Sequence, residues 1–243
     1  MTPPAARLHR LGGSGPDLLF VHGFGADRLS WAANAPQLTD AATVWTLDLP
    51  GHGSAPDPVG DGSAQALADA VARALPDLSG PAVIVGHSLG GTVALHLAAA
   101  VPQVVRHLVL IAPAGLGPAL DHDFLTAFPV LETPDQAQAL LERLVERKRL
   151  IAPAMVAHVL AGLQKPSRRA ALATVAQALM TLPAPALPDL PIDLIWGAAD
   201  RINPPPVALP ATALVLPDTG HMPQVEAASK VNAVIRAALV AVS

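Results

Sequence analysis

A serine lies between two glycines where a predicted strand ends and a predicted helix begins. Residues 82–91 read AVIVGHSLGG, so a run of apolar residues leads directly into Gly86-His87-Ser88-Leu89-Gly90. The pattern G-x-S-x-G in this context is typical of a nucleophile elbow, a sharp turn that presents the serine hydroxyl. Glycine is needed at 86 and 90 because larger neighbours would clash in such a turn. Ser88 is therefore predicted to be a nucleophile; the alternative is an ordinary helix N-cap.

A serine hydroxyl needs a base to activate it, and the base needs an acid to orient it. In a chain with a strand–helix elbow of this kind, the three residues are expected in the order serine, acid, histidine. Three histidines follow at sufficient distance: His122, His158 and His221. The first two lie in a predicted helical insertion, whereas His221 directly follows the last predicted strand. His221 is therefore predicted to be the base.

The orienting acid is expected at the carboxyl end of a strand between the serine and the histidine, where active sites of open α/β sheets lie. The predicted strand at 192–200 ends in WGAAD, which places Asp200 at that end. Asp189 and Asp193 flank the opposite end of the same strand. Asp200 is the predicted acid, and a simple turn aspartate is the alternative.

The fourth part of such a site is a pair of backbone donors for a developing oxyanion. One donor is predicted to be the N–H of Leu89, which follows the serine. The other is predicted to be the N–H of Phe24, because glycines at 23 and 25 let the backbone turn its amides toward a substrate. These glycines do not form a dinucleotide fingerprint, since Arg28 occupies the position of its third glycine.

Composition limits the remaining function classes. The chain of 243 residues is 51% hydrophobic and 14% charged, with a net charge of −4 and no cysteine. Nucleic acid is not an expected partner without a basic face, and neither disulfides nor cysteine-ligated metals can form. The histidines show no metal-binding spacing, so neither a metal nor a cofactor is predicted. The N-terminus has no signal-peptide pattern, and the longest apolar stretch (108–120) is too short to span a membrane, so a cytoplasmic protein without membrane partners is expected.

Short apolar segments alternate with helical patterns along most of the chain, which predicts a doubly wound parallel sheet. The predicted strands lie at 17–23, 43–50, 82–88, 107–115, 192–200 and 212–220, and the predicted helices at 27–38, 63–75, 89–100 and 223–241.

The alternation stops between 116 and 184, where only helical patterns occur. Thr133-Pro134-Asp135-Gln136 predicts a capped helix start, a second helix is expected at 150–163, and Ser167 is expected to cap a third. We therefore expect an α/β core at 1–115 and 185–243, with a helical cap at 116–184.

Five motifs in order resemble the α/β-hydrolase superfamily: HGFG, DLPGHGSA, GHSLGG, WGAADRINP and GHMPQVE. The resemblance covers nearly the whole chain. It implies the α/β-hydrolase fold, a mostly parallel doubly wound sheet with an inserted helical cap, and the same roles for Ser88, Asp200 and His221. Because only 16 residues precede the first predicted strand, the N-terminal strand region is expected to be shortened.

Within the superfamily, LIAPAGLGP, RKRL and HMPQVEAASKVNAVI are similar to the catalytic domain of the E2 acyltransferase subunits of acetoin dehydrogenase complexes. Those subunits normally carry a lipoyl domain. No such domain is expected in this chain, because none of its three lysines lies in a lipoyl-type hairpin. Relatives without the lipoyl arm resemble simple serine hydrolases.

The predicted function is hydrolysis of small to medium acyl esters or thioesters through an acyl-enzyme on Ser88. The alternatives are an acyltransferase of the E2 type and, with the same three residues, a cofactor-free haloperoxidase or C–C bond hydrolase. The partner is expected to be a small-molecule ester or thioester, and monomer and homodimer both stay open. The predicted substrate contacts are His22, His87, Phe124, Phe128 and Met155.

Overall fold

The protein is described by a computed structural model that covers residues 4–75, 78 and 80–242. Seven strands form one sheet: β1 (Arg7–Gly12), β2 (Asp17–Val21), β3 (Thr43–Asp48), β4 (Ala82–His87), β5 (Val105–Ile111), β6 (Ile192–Gly197) and β7 (Leu214–Leu216). Their order across the sheet is β1-β3-β2-β4-β5-β6-β7. The pair β1/β3 is antiparallel, and every other pair is parallel. The α/β-hydrolase fold is confirmed, with one antiparallel strand, β1, before the parallel ones among the described residues.

The α-helices are α1 (Ala64–Ala72), α2 (Leu89–Ala100), α3 (His122–Ala127), α4 (Pro134–Leu141), α5 (Pro153–Gly162), α6 (Pro166–Met180), α7 (Pro223–Glu226) and α8 (Ala228–Ala241). None of these described helices is long and apolar enough to cross a membrane. The expected cytoplasmic location stays a prediction.

Apolar side chains of the strands alternate between two clusters, one on each face of the sheet. Leu19 and Ile84 point into the cluster that contains α1, α2 and α3–α6, whereas Phe20 and Val85 point into the cluster with α8. Both faces are thus covered, and β2 and β4 are buried along their whole length. This arrangement explains why the strands read as continuous apolar runs rather than alternating ones.

Helices α3–α6 fall between β5 and β6, and their apolar faces continue the first of these clusters. The capping box predicted at Thr133 is present, with Gln136 bonded in return to the Thr133 backbone. Ser167 does not cap α6, because its hydroxyl donates instead to Asp57 at 2.5 Å. The helix begins at Pro166, whose ring presets the helical backbone. The division into a core and a cap at 116–184 stays a prediction.

Two other predictions of a continuous α-helix were wrong. The segment 27–38 contains two short 3-10 turns, Arg28–Trp31 and Ala35–Leu38, rather than an α-helix. Pro36 has no N–H to continue a helical ladder through this segment. The helix expected at 223–241 is divided at Ala227, which takes φ −131° and ψ 41° and separates α7 from α8.

Candidate active site

Ser88 lies in the turn between β4 and α2 with a backbone conformation that side chains rarely adopt. Its φ is 52° and its ψ −117°. The turn is held because the Ser88 N–H donates to the Ile111 carbonyl at 2.9 Å, while the Ser88 carbonyl accepts the N–H groups of Gly91 and Ala114. A strained, well-supported residue of this kind is characteristic of functional sites.

The glycines around Ser88 are required by close backbone approaches. A Cβ on Gly86 would lie 2.5 Å from the Gly90 carbonyl oxygen, and one on Gly90 would lie 2.3 Å from the Val21 carbonyl oxygen. Both distances are shorter than real Cβ contacts allow. The elbow therefore packs directly against β2, and only glycine fits at these two positions.

Asp200 and His221 meet as the sequence predicted. The Nδ1–H of His221 donates to Asp200 Oδ2 at 2.7 Å, and both side chains are almost fully buried. The other carboxylate oxygen, Oδ1, accepts the N–H groups of Ile202 and Asn203, each at 2.9 Å. These bonds orient the carboxylate, which in turn fixes the imidazole with Nδ1 protonated and Nε2 available as a base.

The loop that carries His221 is tied to the helical segment between β5 and β6. The His221 N–H donates to the Leu144 carbonyl at 2.8 Å. The neighbouring Gly220 N–H donates at 2.6 Å to the buried carboxylate of Glu226, which also accepts the Arg147 N–H at 2.9 Å. Sequence reasoning missed Glu226, since nothing distinguishes it from a surface carboxylate at the start of a helix.

His87, the residue before the nucleophile, links the two loops. Its Nε2–H donates to the His221 carbonyl at 2.7 Å, and the two imidazole rings lie 4.8 Å apart. Burial, followed by the proximity of His221, holds the pKa of His87 well below its usual range. His87 is therefore neutral, with Nδ1 unprotonated and without a hydrogen-bond partner.

The predicted oxyanion donors lie on suitable backbone. The Ala26 N–H closes a turn onto the Gly23 carbonyl at 3.3 Å, with Gly25 at φ 69°, and Phe24 occupies the second position of this turn. Leu89 is the first residue of α2, where the backbone N–H has no partner within the helix. Both residues stay the predicted oxyanion donors.

Ser88 and His221 share a cavity of about 40 Å³. The described structure holds no hydrogen bond between the Ser88 hydroxyl and the His221 ring, and contacts of this kind often tighten only when a substrate binds. Most other walls of the cavity are apolar: Leu120, Phe124, Leu125, Leu144, Leu179 and Ile202.

Of the predicted substrate contacts, His87 and Phe124 line this cavity, whereas three others do not. His22 is fully buried beneath it, with Nδ1–H donating to the Gly23 carbonyl and Nε2 accepting the Leu49 N–H. Phe128 packs behind Phe124, with ring centroids 6.0 Å apart. Met155, on α5, packs against the apolar cluster instead. Periodicity identified these residues as apolar or near the site but could not show which ones face the cavity.

A second polar group, here called the Asp48 cluster, consists of the buried Asp48, His22 and His52 and the exposed Ser54. Asp48 Oδ2 accepts the Ser54 N–H at 2.8 Å and the Ser54 hydroxyl at 2.7 Å, and Oδ1 accepts the Arg28 N–H at 2.9 Å. The rings of His22 and His52 lie 5.1 Å apart. None of these side chains lines the cavity.

A larger groove of about 680 Å³ lies between α1 and α6, and neither Ser88 nor His221 lines it. Its walls are mostly alanines, hydroxyls and one amide, without a convergent group that could do chemistry. Among the residues that the structure describes, no three histidine, aspartate or glutamate side chains are grouped to hold a metal ion.

A sequence profile of the Alpha/beta hydrolase family matches residues 18–234, and the chain belongs to this family. A meta-cleavage product hydrolase from Pseudomonas fluorescens IP01 has the same fold, with a TM-score of 0.83 and 18% identity over 98% of this chain and 95% of the other.

Curated relatives of known name are enzymes. The chain is 34% identical over 241 residues to the dihydrolipoyllysine-residue acetyltransferase component of the acetoin cleaving system of Pseudomonas putida, which confirms the resemblance found in the sequence. The alignment covers 93% of this chain and 64% of that relative, so the chain spans about two thirds of its length. It is also 31% identical to the pimeloyl-[acyl-carrier protein] methyl ester esterase of Stenotrophomonas maltophilia (strain R551-3), over 92% and 93% of the two chains. The chain is an α/β-hydrolase enzyme.

Proposed function

We propose that this protein is a serine hydrolase that cleaves carboxylic esters or thioesters of small to medium acyl groups through an acyl-enzyme on Ser88. The single observation that carries the proposal is the hydrogen bond between His221 and Asp200 at a cavity that Ser88 shares. This pair leaves the histidine Nε2 free to act as a base toward the serine.

In the first half of the reaction, the Ser88 hydroxyl attacks the carbonyl carbon of the substrate and its proton passes to His221 Nε2. The oxyanion that forms accepts hydrogen bonds from the backbone N–H groups of Phe24 and Leu89. Collapse breaks the bond to the leaving alcohol or thiol, which takes the proton from His221. The acyl group is left as an ester on the serine.

In the second half, His221 takes a proton from water, and the resulting hydroxide attacks the acyl ester. The same two backbone donors hold the second oxyanion. Collapse releases the carboxylic acid and returns the proton to Ser88 Oγ. Asp200 stabilises the imidazolium that forms in each half, because its carboxylate accepts the Nδ1–H at 2.7 Å.

The test is hydrolysis of p-nitrophenyl esters from acetyl to dodecanoyl by the wild type, Ser88→Ala and Ser54→Ala. Ser54 is a control outside the cavity, since its hydroxyl donates to the buried Asp48 and the residue does not line the cavity. We expect hydrolysis that falls by at least 10³-fold in Ser88→Ala and by less than about tenfold in Ser54→Ala. A folded wild type that turns over no ester would contradict the proposal.

A second candidate, acyl transfer to a thiol, is favoured by the identity of 34% with the acetoin-system acetyltransferase component. It uses the same acyl-enzyme but gives the acyl group to a thiol instead of water. Product partition during ester turnover, with and without a dithiol acceptor, separates the two. Thioester product at the expense of free acid would favour the transferase.

A further inference from the structure

The acyl side of the cavity is uncharged. Apart from Ser88, His221 and the neutral His87, its side-chain walls are hydrocarbon or thioether, including Phe124, Leu179 and Met222. Among the residues that the structure describes, no arginine, lysine, aspartate or glutamate lines it. A substrate carboxylate placed here would lose its water without gaining a partner.

Four arginines on the segment between β5 and β6 are already engaged by other groups. Arg143 pairs with Asp121, and Arg147 bonds to Glu226. Arg168 binds Asp57 at 2.6 Å, and Arg169 donates to backbone carbonyls such as that of Pro129 at 2.7 Å. Turning any of them toward the cavity would break these bonds, so the cavity cannot easily acquire a positive charge. Burying an unpaired charge is among the most costly events in a protein interior.

The cavity is also small, and its aromatic wall is supported from behind. Phe124 packs on Phe128, whose ring centroid lies 5.5 Å from that of Phe24. Gly25 lies so close to Phe128 that a Cβ there would be 2.5 Å from the ring. This wall has little room to retreat, and the volume of about 40 Å³ is far below the ~300 Å³ at which ordinary ligand pockets begin.

We propose that the acyl group bound here is both short, about two to four carbons, and uncharged, so that acyl chains ending in a carboxylate are excluded. This inference rests on the proposed function and narrows it. Phe124 and Leu179 limit the length of the acyl group. A charged acyl group is excluded because the cavity offers its charge no polar partner.

The length arm compares p-nitrophenyl butyrate with the octanoate in three proteins: wild type, Leu179→Ala and Leu172→Ala. Both leucines are buried on α6, but only Leu179 lines the cavity. We expect kcat/KM of the wild type to be at least tenfold higher for butyrate. Leu179→Ala should raise the octanoate-to-butyrate ratio at least tenfold, while Leu172→Ala leaves the ratio unchanged. A wild-type optimum at eight or more carbons, or equal ratios in the two variants, would overturn the inference.

The charge arm compares the p-nitrophenyl monoester of succinate with p-nitrophenyl butyrate, which has the same number of acyl carbons and no carboxylate. We expect kcat/KM to be at least 100-fold lower for the succinate ester. Values within fivefold of each other would overturn the inference. If no ester in either arm is turned over, the proposed function itself fails. If esters are turned over but without the expected preference for short, uncharged acyl groups, only this further inference fails.

Discussion

Two groups of aspartate, histidine and serine lie at carboxyl ends of strands in this protein, one around Asp48 at the end of β3 and the other around Asp200 after β6. The Asp48 cluster and the group of Ser88, Asp200 and His221 contain the same three residue types. In the Asp48 cluster the serine donates to the aspartate. At the candidate active site the histidine donates to the aspartate instead, and the serine stands apart at the cavity.

The two clusters differ in which polar atoms are left free. Both nitrogens of His22 are bonded to backbone groups, and both oxygens of Asp48 accept backbone N–H groups. His52 has an unpartnered Nε2, but burial lowers its pKa to about 3. His221 uses only Nδ1 and keeps Nε2 beside the cavity. The two clusters therefore differ at the histidine: only at the candidate site does an imidazole bonded to an aspartate line the cavity together with a serine.

The largest expected difference is between His221→Asn and His52→Asn. Removing His221 should lower kcat/KM for a short ester by about 10⁴-fold, because the base is lost. Removing His52 should change kcat/KM by less than about tenfold. Ester hydrolysis and thermal unfolding measure both effects. A loss of activity in His52→Asn as large as in His221→Asn would make the Asp48 cluster part of the catalytic machinery.

Substitutions of Asp200 and Asp48 should differ in their effect on activity in the same way. Asp200→Asn is expected to lower kcat by roughly 10³–10⁴-fold, since the amide no longer stabilises the imidazolium. Asp48→Asn is expected to keep kcat but lower the free energy of unfolding by about 1–3 kcal/mol, because it loses charge-assisted bonds to Ser54 and Arg28. Kinetics and urea unfolding on the same preparations separate the two. Equal losses of kcat would remove the distinction.

Lowering the pH should reduce the free energy of unfolding mainly through the buried neutral histidines. Burial lowers the pKa of His22, His52 and His87 below the unfolded value of 6.5, so the unfolded chain binds more protons at low pH. Their contribution to stability is complete above about pH 6.5 and is lost as the pH falls toward the folded-state pKa values. Urea unfolding at pH 8, 6.5 and 5 should show this decline.

The matched variants for this pH series are His52→Asn and His122→Asn. The first should flatten the decline, whereas the exposed His122 should leave it unchanged. A decline that is the same in all three proteins would show that other groups cause it.

The smallest effect is expected at the rim of the Asp48 cluster. His9 lies 3.6 Å from Asp48 Oδ2 with 29% of its side chain exposed. His9→Asn should change the free energy of unfolding by less than about 1 kcal/mol, because solvent screens pairs of this kind. Urea unfolding measures it. A loss of unfolding free energy equal to that of Asp48→Asn would show that His9 is part of the Asp48 cluster.

Much of the fold was readable in the sequence, because local patterns carry it. Buried parallel strands need apolar residues on both faces, and the elbow at Ser88 needs glycine on both sides, so both leave clear signals. The capping box at Thr133 is local in the same sense. The two turns within 28–38 were missed although Pro36 is a local signal against a continuous helix, and the break at Ala227 was missed because no local signal marks it.

The sequence by itself determined the order and types of the residues that can do chemistry: a serine in a strand–helix turn, an acid at the end of a later strand, and a histidine after the last one. Only the tertiary structure decided that Asp200 and His221 bond to each other while His22 is saturated by backbone. It also decided that Leu144, Leu179 and Met222 line the cavity, whereas Phe128 and Met155 stand behind it. The physical reason is that residue type and spacing limit what a side chain can do, but which of its atoms stay unpartnered depends on groups distant in the chain.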